Sequence, residues 1–178
     1  MKVMKKILNY TYIQYLRCHK SVILHQGTVI DYRCEIEEKS NITMGQKSIL
    51  YKHVTIYKSI EGIVHIGDFS HVAPYGYFLI GKQKLHIGNN VAIGPFCSIF
   101  CSSNDIPANK DILFKDSYKK ADVNIGNNVF IGAQCVILPG TVIEDNVAVA
   151  AHSTVKGILK SGYAYGGNPA VVIKKVDE

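Results

Sequence analysis

Between Ile125 and Val155 an aliphatic residue recurs at every sixth position: Ile125, Ile131, Ile137, Ile143, Val149 and Val155. The same step links Ile87, Ile93 and Ile99. A period of six suits neither a helix of 3.6 residues per turn nor a strand alternating between two faces. It suits short strands separated by tight corners, so the chain is expected to wind into a solenoid of flat faces. Three segments align without gaps: IGDFSHVAPYGYF from Ile66, IGNNVAIGPFCSI from Ile87 and IGNNVFIGAQCVI from Ile125. In each hexad the aliphatic residue points into the stack, Gly or Ala follows at the bend, and a small residue such as Cys97, Cys135 or Ser153 takes the fifth place. Asn89-Asn90 and Asn127-Asn128 supply the residues that tolerate left-handed backbone at such corners.

The register survives a long interruption. From Ile99 to Ile125 is 26 residues, one hexad plus 20, so residues 101–122 must leave the stack as a loop. Excursions of that length inside a domain are usually functional; the polar SSNDIPANKD followed by ILF suggests a segment that reaches over a neighbouring subunit. Upstream the hexads are less regular, although Ile42, Ser48 and Val54 can be read in phase. Residues 3 to 17 carry Met4, Ile7, Leu8 and Leu16 among lysines, the pattern of a short amphipathic helix. Such a helix would cap the open end of a solenoid; attachment to a membrane surface is the alternative. The expected organisation is a single domain over 1–178, with a helical cap in 1–20, the β-helix over 40–160 and a closing segment over 161–178.

Composition narrows the function classes. At 47% hydrophobic and 19% charged residues the chain reads as globular, not disordered. Its net charge of +6 is carried by lysine, with Arg17 and Arg33 the only arginines. That balance favours attraction of soluble anions over base reading, which leans on bidentate arginine, and nucleic acid is not an expected partner. Five cysteines without C-x-x-C spacing point to a reduced, cytoplasmic protein with buried packing thiols and no metal. No stretch approaches the ~18 apolar residues of a membrane span.

The hexads, with IGNNVFIGAQCVILPGTVIEDN, the closing YGGNPAVVIKK and the long insertion, resemble the left-handed parallel β-helix acyltransferases of the hexapeptide-repeat superfamily. Within it the likeness is greatest to the galactoside, maltose and polysaccharide O-acetyltransferases. The resemblance covers about residues 40 to 175. It implies an all-β, three-sided coil, a trimer with active sites between subunits, and transfer of acetyl from acetyl-CoA to a sugar hydroxyl on a surface polysaccharide, lipopolysaccharide or nucleotide-sugar precursor. N-acetylation of an amino sugar nucleotide is the alternative within the same chemistry; a metal-dependent hydratase and a non-enzymatic scaffold are the alternatives outside it.

Acetyl transfer to a hydroxyl needs a base, oxyanion donors and aligned substrates. The related enzymes carry their catalytic histidine early in the insertion, where this chain has Asn104, beside Asp105. Asparagine cannot serve as a base. His71, sixth in its hexad, is expected at an outward corner among residues that line the acceptor cleft in the relatives, as is Tyr75; its alternatives are a substrate contact or a plain surface residue. Asn104 is then left as a hydrogen-bond donor to substrate or oxyanion. His65 and His86 should stack one coil apart at another corner. For the coenzyme, the resemblance implies backbone contacts at Gly132, Ala133, Ala150 and Ala151, an aromatic wall at Phe130, phosphate contacts at Lys156 and Lys174, and a shaping turn at Asn168-Pro169.

Overall fold

The computed structural model describes residues 2–107 and 111–176. After a helix over Lys2–Arg17 the chain winds through three parallel sheets whose neighbours come from successive coils. The result is an all-β parallel solenoid of about six turns, a left-handed β-helix. Each coil gives one strand to each face. On the first face Met44 pairs with Ile66, Ile66 with Ile87, Ile87 with Ile125 and Ile125 with Ile143. The pairing of Ile87 with Ile125 excises the insertion from the stack without a change of phase.

The inward residue of every hexad is buried, and these aliphatic side chains form one continuous core. Small fifth-place residues are chosen by the carbonyls of the corners. Ser153 Oγ donates to Ala150 O at 2.7 Å, Ser70 Oγ to Gly88 O at 2.7 Å and Cys97 Sγ to Gly132 O at 3.0 Å. Cys97, Cys101 and Cys135 are buried free thiols, and burial pushes Cys101 up to about 12.

The first corner is tied by a ladder of third-place side chains, each accepting from the backbone of the coil above. Asp68 Oδ1 takes the Gln46 N–H, Asn89 Oδ1 the Asp68 N–H, Asn127 Oδ1 the Asn89 N–H and Asp145 Oδ1 the Asn127 N–H, all within 2.6–2.9 Å. The fourth residue is the left-handed one: Asn90 and Asn128 have φ of 55° and 53°. The two asparagines of each pair therefore do different work, one capping and one turning.

Two upstream expectations are corrected. The coils begin at Val22, well before residue 40. Their inward hexad is Met44, Leu50 and Ile56, preceded by Leu24, Ile30 and Ile36, so the phase read through Ile42, Ser48 and Val54 was two residues early. The insertion leaves the stack as expected, and within it Ser102–Asn104 and Tyr118–Lys120 pair as an antiparallel hairpin, with a 3-10 turn at Phe114–Asp116 between them.

The helix packs on the first coil by an unexpected face. Of Met4, Ile7, Leu8 and Leu16, only Leu16 is buried, with Tyr12 and Ile13 packed beside it against the core. The rest of the contact is polar: the Tyr12 hydroxyl donates to Cys34 O at 3.3 Å, Asn9 Oδ1 accepts the Tyr32 N–H at 3.0 Å, and Lys5 Nζ lies 2.9 Å from Asp31. Asp31 is buried and also takes two bonds from the Arg33 guanidinium, which, with Lys5, holds its carboxyl well below the usual range. A depressed pKa makes this a contribution present above the ordinary carboxylate value of 3.8 and lost as pH falls through the folded value. Asp31→Asn should therefore cost about 1–3 kcal/mol at neutral pH, because the partly exposed Lys5 and Arg33 lose a charged hydrogen-bond acceptor. Thermal melts at pH 7 and pH 3 check this: the gap between wild type and variant should be widest at pH 7 and smaller but still open at pH 3, where the unfolded carboxyl is mostly protonated while the folded one keeps its charge.

Candidate functional site

The second face is the one that offers a site. The sixth place of a hexad lies on a strand and points outward, and parallel pairing stacks these places into a column: Ile49 pairs with His71, His71 with Ala92, Ala92 with Phe130 and Phe130 with Ala148. His71 and Phe130 thus stand two strands apart on one face, roughly 10 Å at the backbone. Between them Ala92 is small. A groove of about 370 Å³ runs beside Phe130 toward the first corner, lined by Ala92, Phe130 and Ala148, by Asn90, Asn128 and Asn146 with Val129 and Val147, and by Val176 from the end of the last strand; His71 stands outside this lining. Asn128 Nδ2 donates to Asn146 Oδ1 at 2.7 Å, which fixes both amides along one wall. Phe130 is more than half exposed, an apolar ring held out over the strands.

His71 lies within the strand His71–Val72 and not at a corner, which corrects the expected position although not its outward direction. The Tyr51 ring meets it edge-on, with centroids 6.1 Å apart. The same correction holds for His65 and His86. They stack in parallel at 4.7 Å on the flat first face, and His65 is pushed below the usual imidazole value by burial and then by His86. Among the described residues no group of three or more His, Cys, Asp or Glu could hold a metal ion.

The corner between the second and third faces is built for close stacking. A Cβ on Gly132 would come within 2.8 Å of the Ala151 Cα, and one on Gly166 would meet Ala150 Cβ at 3.0 Å. Ala150 and Ala151 are exposed and Ala133 half-buried, so backbone is accessible along this edge. The C-terminal hairpin, Tyr163–Gly167 against Ala170–Lys175, closes the edge, with Gly167 N–H donating to Ser153 Oγ at 3.1 Å. Asn168 is exposed at its turn, joined to Pro169 by a cis bond. Lys156 and Lys174 are both exposed.

Further up the same corner His53, Tyr75 and Phe96 form a column of rings, spaced 5.1 and 5.0 Å, each at a left-handed φ near 60°. Left-handed backbone costs about 1–2 kcal/mol for such residues, and stacking of each pair returns about 0.5–1.5 kcal/mol. Tyr75 is therefore a member of a stack, off the column that carries His71.

Asn104 and Asp105 lie elsewhere in the chain, on the insertion hairpin. The Asn104 amide is already engaged, donating from Nδ2 to Phe114 O at 2.8 Å, and the Asp105 N–H donates to Ser117 O at 3.0 Å. The structure puts His71 and Phe130 on one face, two strands apart, and groups Gly132 and Ala133 with Ala150 and Ala151. It leaves Asn104 and Asp105 apart. The asparagine wall and the two groove alanines were missed in the sequence. Their signal was the sixth place: Ala92 and Ala148, flanking Phe130 one coil on either side, mark a depression on both sides of that ring.

With the geometry described, comparisons place the chain among known proteins. Residues 122–157 match the family described as bacterial transferase hexapeptide (six repeats). The putative lipopolysaccharide biosynthesis O-acetyl transferase WbbJ of Escherichia coli (strain K12) is 27% identical over 190 residues, covering 97% of this chain and 94% of that protein. Among solved structures, AntD, an N-acyltransferase from Bacillus cereus in complex with dTDP and 3-hydroxybutyryl-CoA, superposes with a TM-score of 0.77 at 24% identity, over 92% of this chain and 87% of that one. A maltose O-acetyltransferase from Clostridium difficile 630 gives a TM-score of 0.65 at 23% identity, over 99% and 84%. These two superpositions speak to the fold.

Proposed function

We propose that this chain, which belongs to the hexapeptide-repeat acyltransferase superfamily, transfers an acetyl group from acetyl-CoA to a sugar hydroxyl. The observation that carries the reading is the outward column His71, Ala92, Phe130, Ala148 beside the groove. It sets a histidine and an apolar ring on one face, with the amides of Asn90, Asn128 and Asn146 along the adjoining corner. The full-length likeness to an O-acetyl transferase of lipopolysaccharide biosynthesis supports a glycan acceptor.

In this reading the exposed edge at Gly132, Ala133, Ala150 and Ala151 takes the pantetheine arm, since small residues let a ligand approach the backbone. Lys156 and Lys174 face its phosphates, and Asn168 shapes the turn beside them. Acetyl-CoA supplies the thioester. His71 accepts the hydroxyl proton as the sugar oxygen attacks the thioester carbonyl, and the coenzyme leaves as its thiol. The trimer implied by the resemblance brings the insertion of a neighbouring subunit, with Asn104 and Asp105, over the column, while Tyr75 and Phe130 border the acceptor. The setting is cytoplasmic; among the described residues no helix is long and apolar enough to cross a membrane.

Asn104 favours a second reading, N-acylation of an amino sugar nucleotide, because an amine needs less help from a base than a hydroxyl. Coenzyme A release, followed with a thiol reagent on hydroxyl and amino sugars side by side, decides between them. Release with hydroxyl acceptors is the expected result, and release with amines alone would establish the second reading. No release with any acceptor, together with no calorimetric binding of acetyl-CoA, would overturn both.

A further inference from the structure

The helix Lys2–Arg17 is mounted inside out. Its polar residues Lys5 and Asn9 face the first coil through Asp31 and Tyr32, while Val3, Met4, Ile7, Leu8, Tyr10 and Tyr15 face solvent, from 38% to 71% exposed. The docking contacts fix this orientation, since rotating the apolar stripe inward would bury Leu8 at the expense of the Lys5–Asp31 and Asn9–Tyr32 bonds. Contiguous exposed apolar surface of this kind marks an interaction site.

Charge says what covers it. Residues 1–30 contain Lys2, Lys5, Lys6, Arg17 and Lys20 and no acidic residue at all; the first is Asp31. Five of the six net positive charges of the chain therefore lie in this segment, and the remaining residues are almost neutral. A second copy would set the same positive surface against itself. With Lys5 held by Asp31, an anionic lipid surface answers both features at once, taking the aliphatic side chains below the headgroups, tyrosines at their level and the exposed Lys6, Arg17 and Lys20 toward the lipid phosphates.

We propose that the exposed face of this helix docks the protein on an anionic lipid bilayer. The docking is independent of the acyltransferase reading. It is tested by sedimenting the full chain with phosphatidylcholine vesicles, with and without phosphatidylglycerol. Wild type should pellet with the anionic vesicles and release as salt is raised. Lys6→Gln should weaken binding about fivefold, and Ile7→Asp about tenfold or more, because it removes apolar contact and adds repulsion. Ile7 is exposed, so the melting temperature and the coenzyme A release on a soluble acceptor should be those of wild type. Absence of pelleting, equal pelleting of wild type and Ile7→Asp, or helix-dependent self-association without vesicle binding would each overturn the proposal.

Discussion

Replacing His71 by alanine is expected to lower the rate of acetyl transfer by about 10²–10⁴-fold, the range that a positioned general base contributes. Binding of acetyl-CoA should change little, because the edge proposed for the coenzyme, at Gly132 and Ala150, lies at the corner and His71 on the face. Folding should also be preserved. The side chain points outward from the strand His71–Val72, next to Tyr51, and no hydrogen bond within the chain depends on it among the described residues. His71→Gln, which keeps a hydrogen-bonding group of similar reach, separates two roles. If His71 only orients the acceptor, glutamine should restore much of the rate. If it takes the proton, glutamine and alanine should be equally poor. Activity within a few-fold of wild type for both variants would remove His71 from the mechanism and leave the face with a binding role.

How much of this was legible follows from what each residue does. Downstream of Ile66 the inward residue is aliphatic at all places but Phe78, and glycine or alanine follows it at Ile66, Val72, Ile87, Ile93, Ile125, Ile131 and Val149, so the hexads declare themselves. Upstream the same six-residue step runs through Leu24, Ile30 and Ile36 and through Met44, Leu50 and Ile56, but the steps from Ile36 to Met44 and from Ile56 to Ile66 are longer than six. Each coil restarts its phase there, and Ile42, Ser48 and Val54, themselves buried, offered a false register. The corner ladder was half visible. Paired asparagines signal a turn, but that the first caps the coil above while the second takes positive φ is a fact of stacking, which lies between coils and not along the chain.

The candidate site was legible in a different way. His71 could be assigned outward from its place in the hexad, and Phe130 likewise. Their common face depends on the pairing of three coils, including one beyond the insertion, and that is a property of the fold. The fourth-place rings of His53, Tyr75 and Phe96 could not be anticipated, because bulky side chains are poor left-handed residues alone and are sustained here by one another. The helix misled for an electrostatic reason. Periodicity marks an apolar stripe and says nothing of which side faces the coil; the buried carboxylate of Asp31, drawing in Lys5, decided that.

A single methyl group at Gly88 should be among the most damaging changes the solenoid can suffer. Gly88 follows the inward Ile87 at the first corner, at an ordinary backbone conformation, so alanine there is not strained by its own φ. The collision is with the next coil: a Cβ would stand 2.6 Å from the Gly126 carbonyl oxygen, 2.7 Å from its carbon and 2.8 Å from Asn127 Oδ1. The Asn127 side chain cannot swing away freely, because its Oδ1 accepts the Asn89 N–H, and the peptide that carries the Gly126 carbonyl is held through its Asn127 N–H, which donates to Asp145 Oδ1. Relief requires the two coils to separate, which weakens the parallel bonds on either side of the corner. Gly88→Ala is expected to cost about 2–4 kcal/mol, a fall in melting temperature of roughly 5–15 °C for a domain of this size. Gly157 is the contrast. Its φ is +76° and nothing lies within 4 Å of an added Cβ, so alanine there meets only the conformational penalty, about 1–2 kcal/mol. Melting curves of the two variants should rank Gly88→Ala clearly below Gly157→Ala. The reverse order would mean that turn conformation, and not the close approach of successive coils, is what the glycines of the hexads provide.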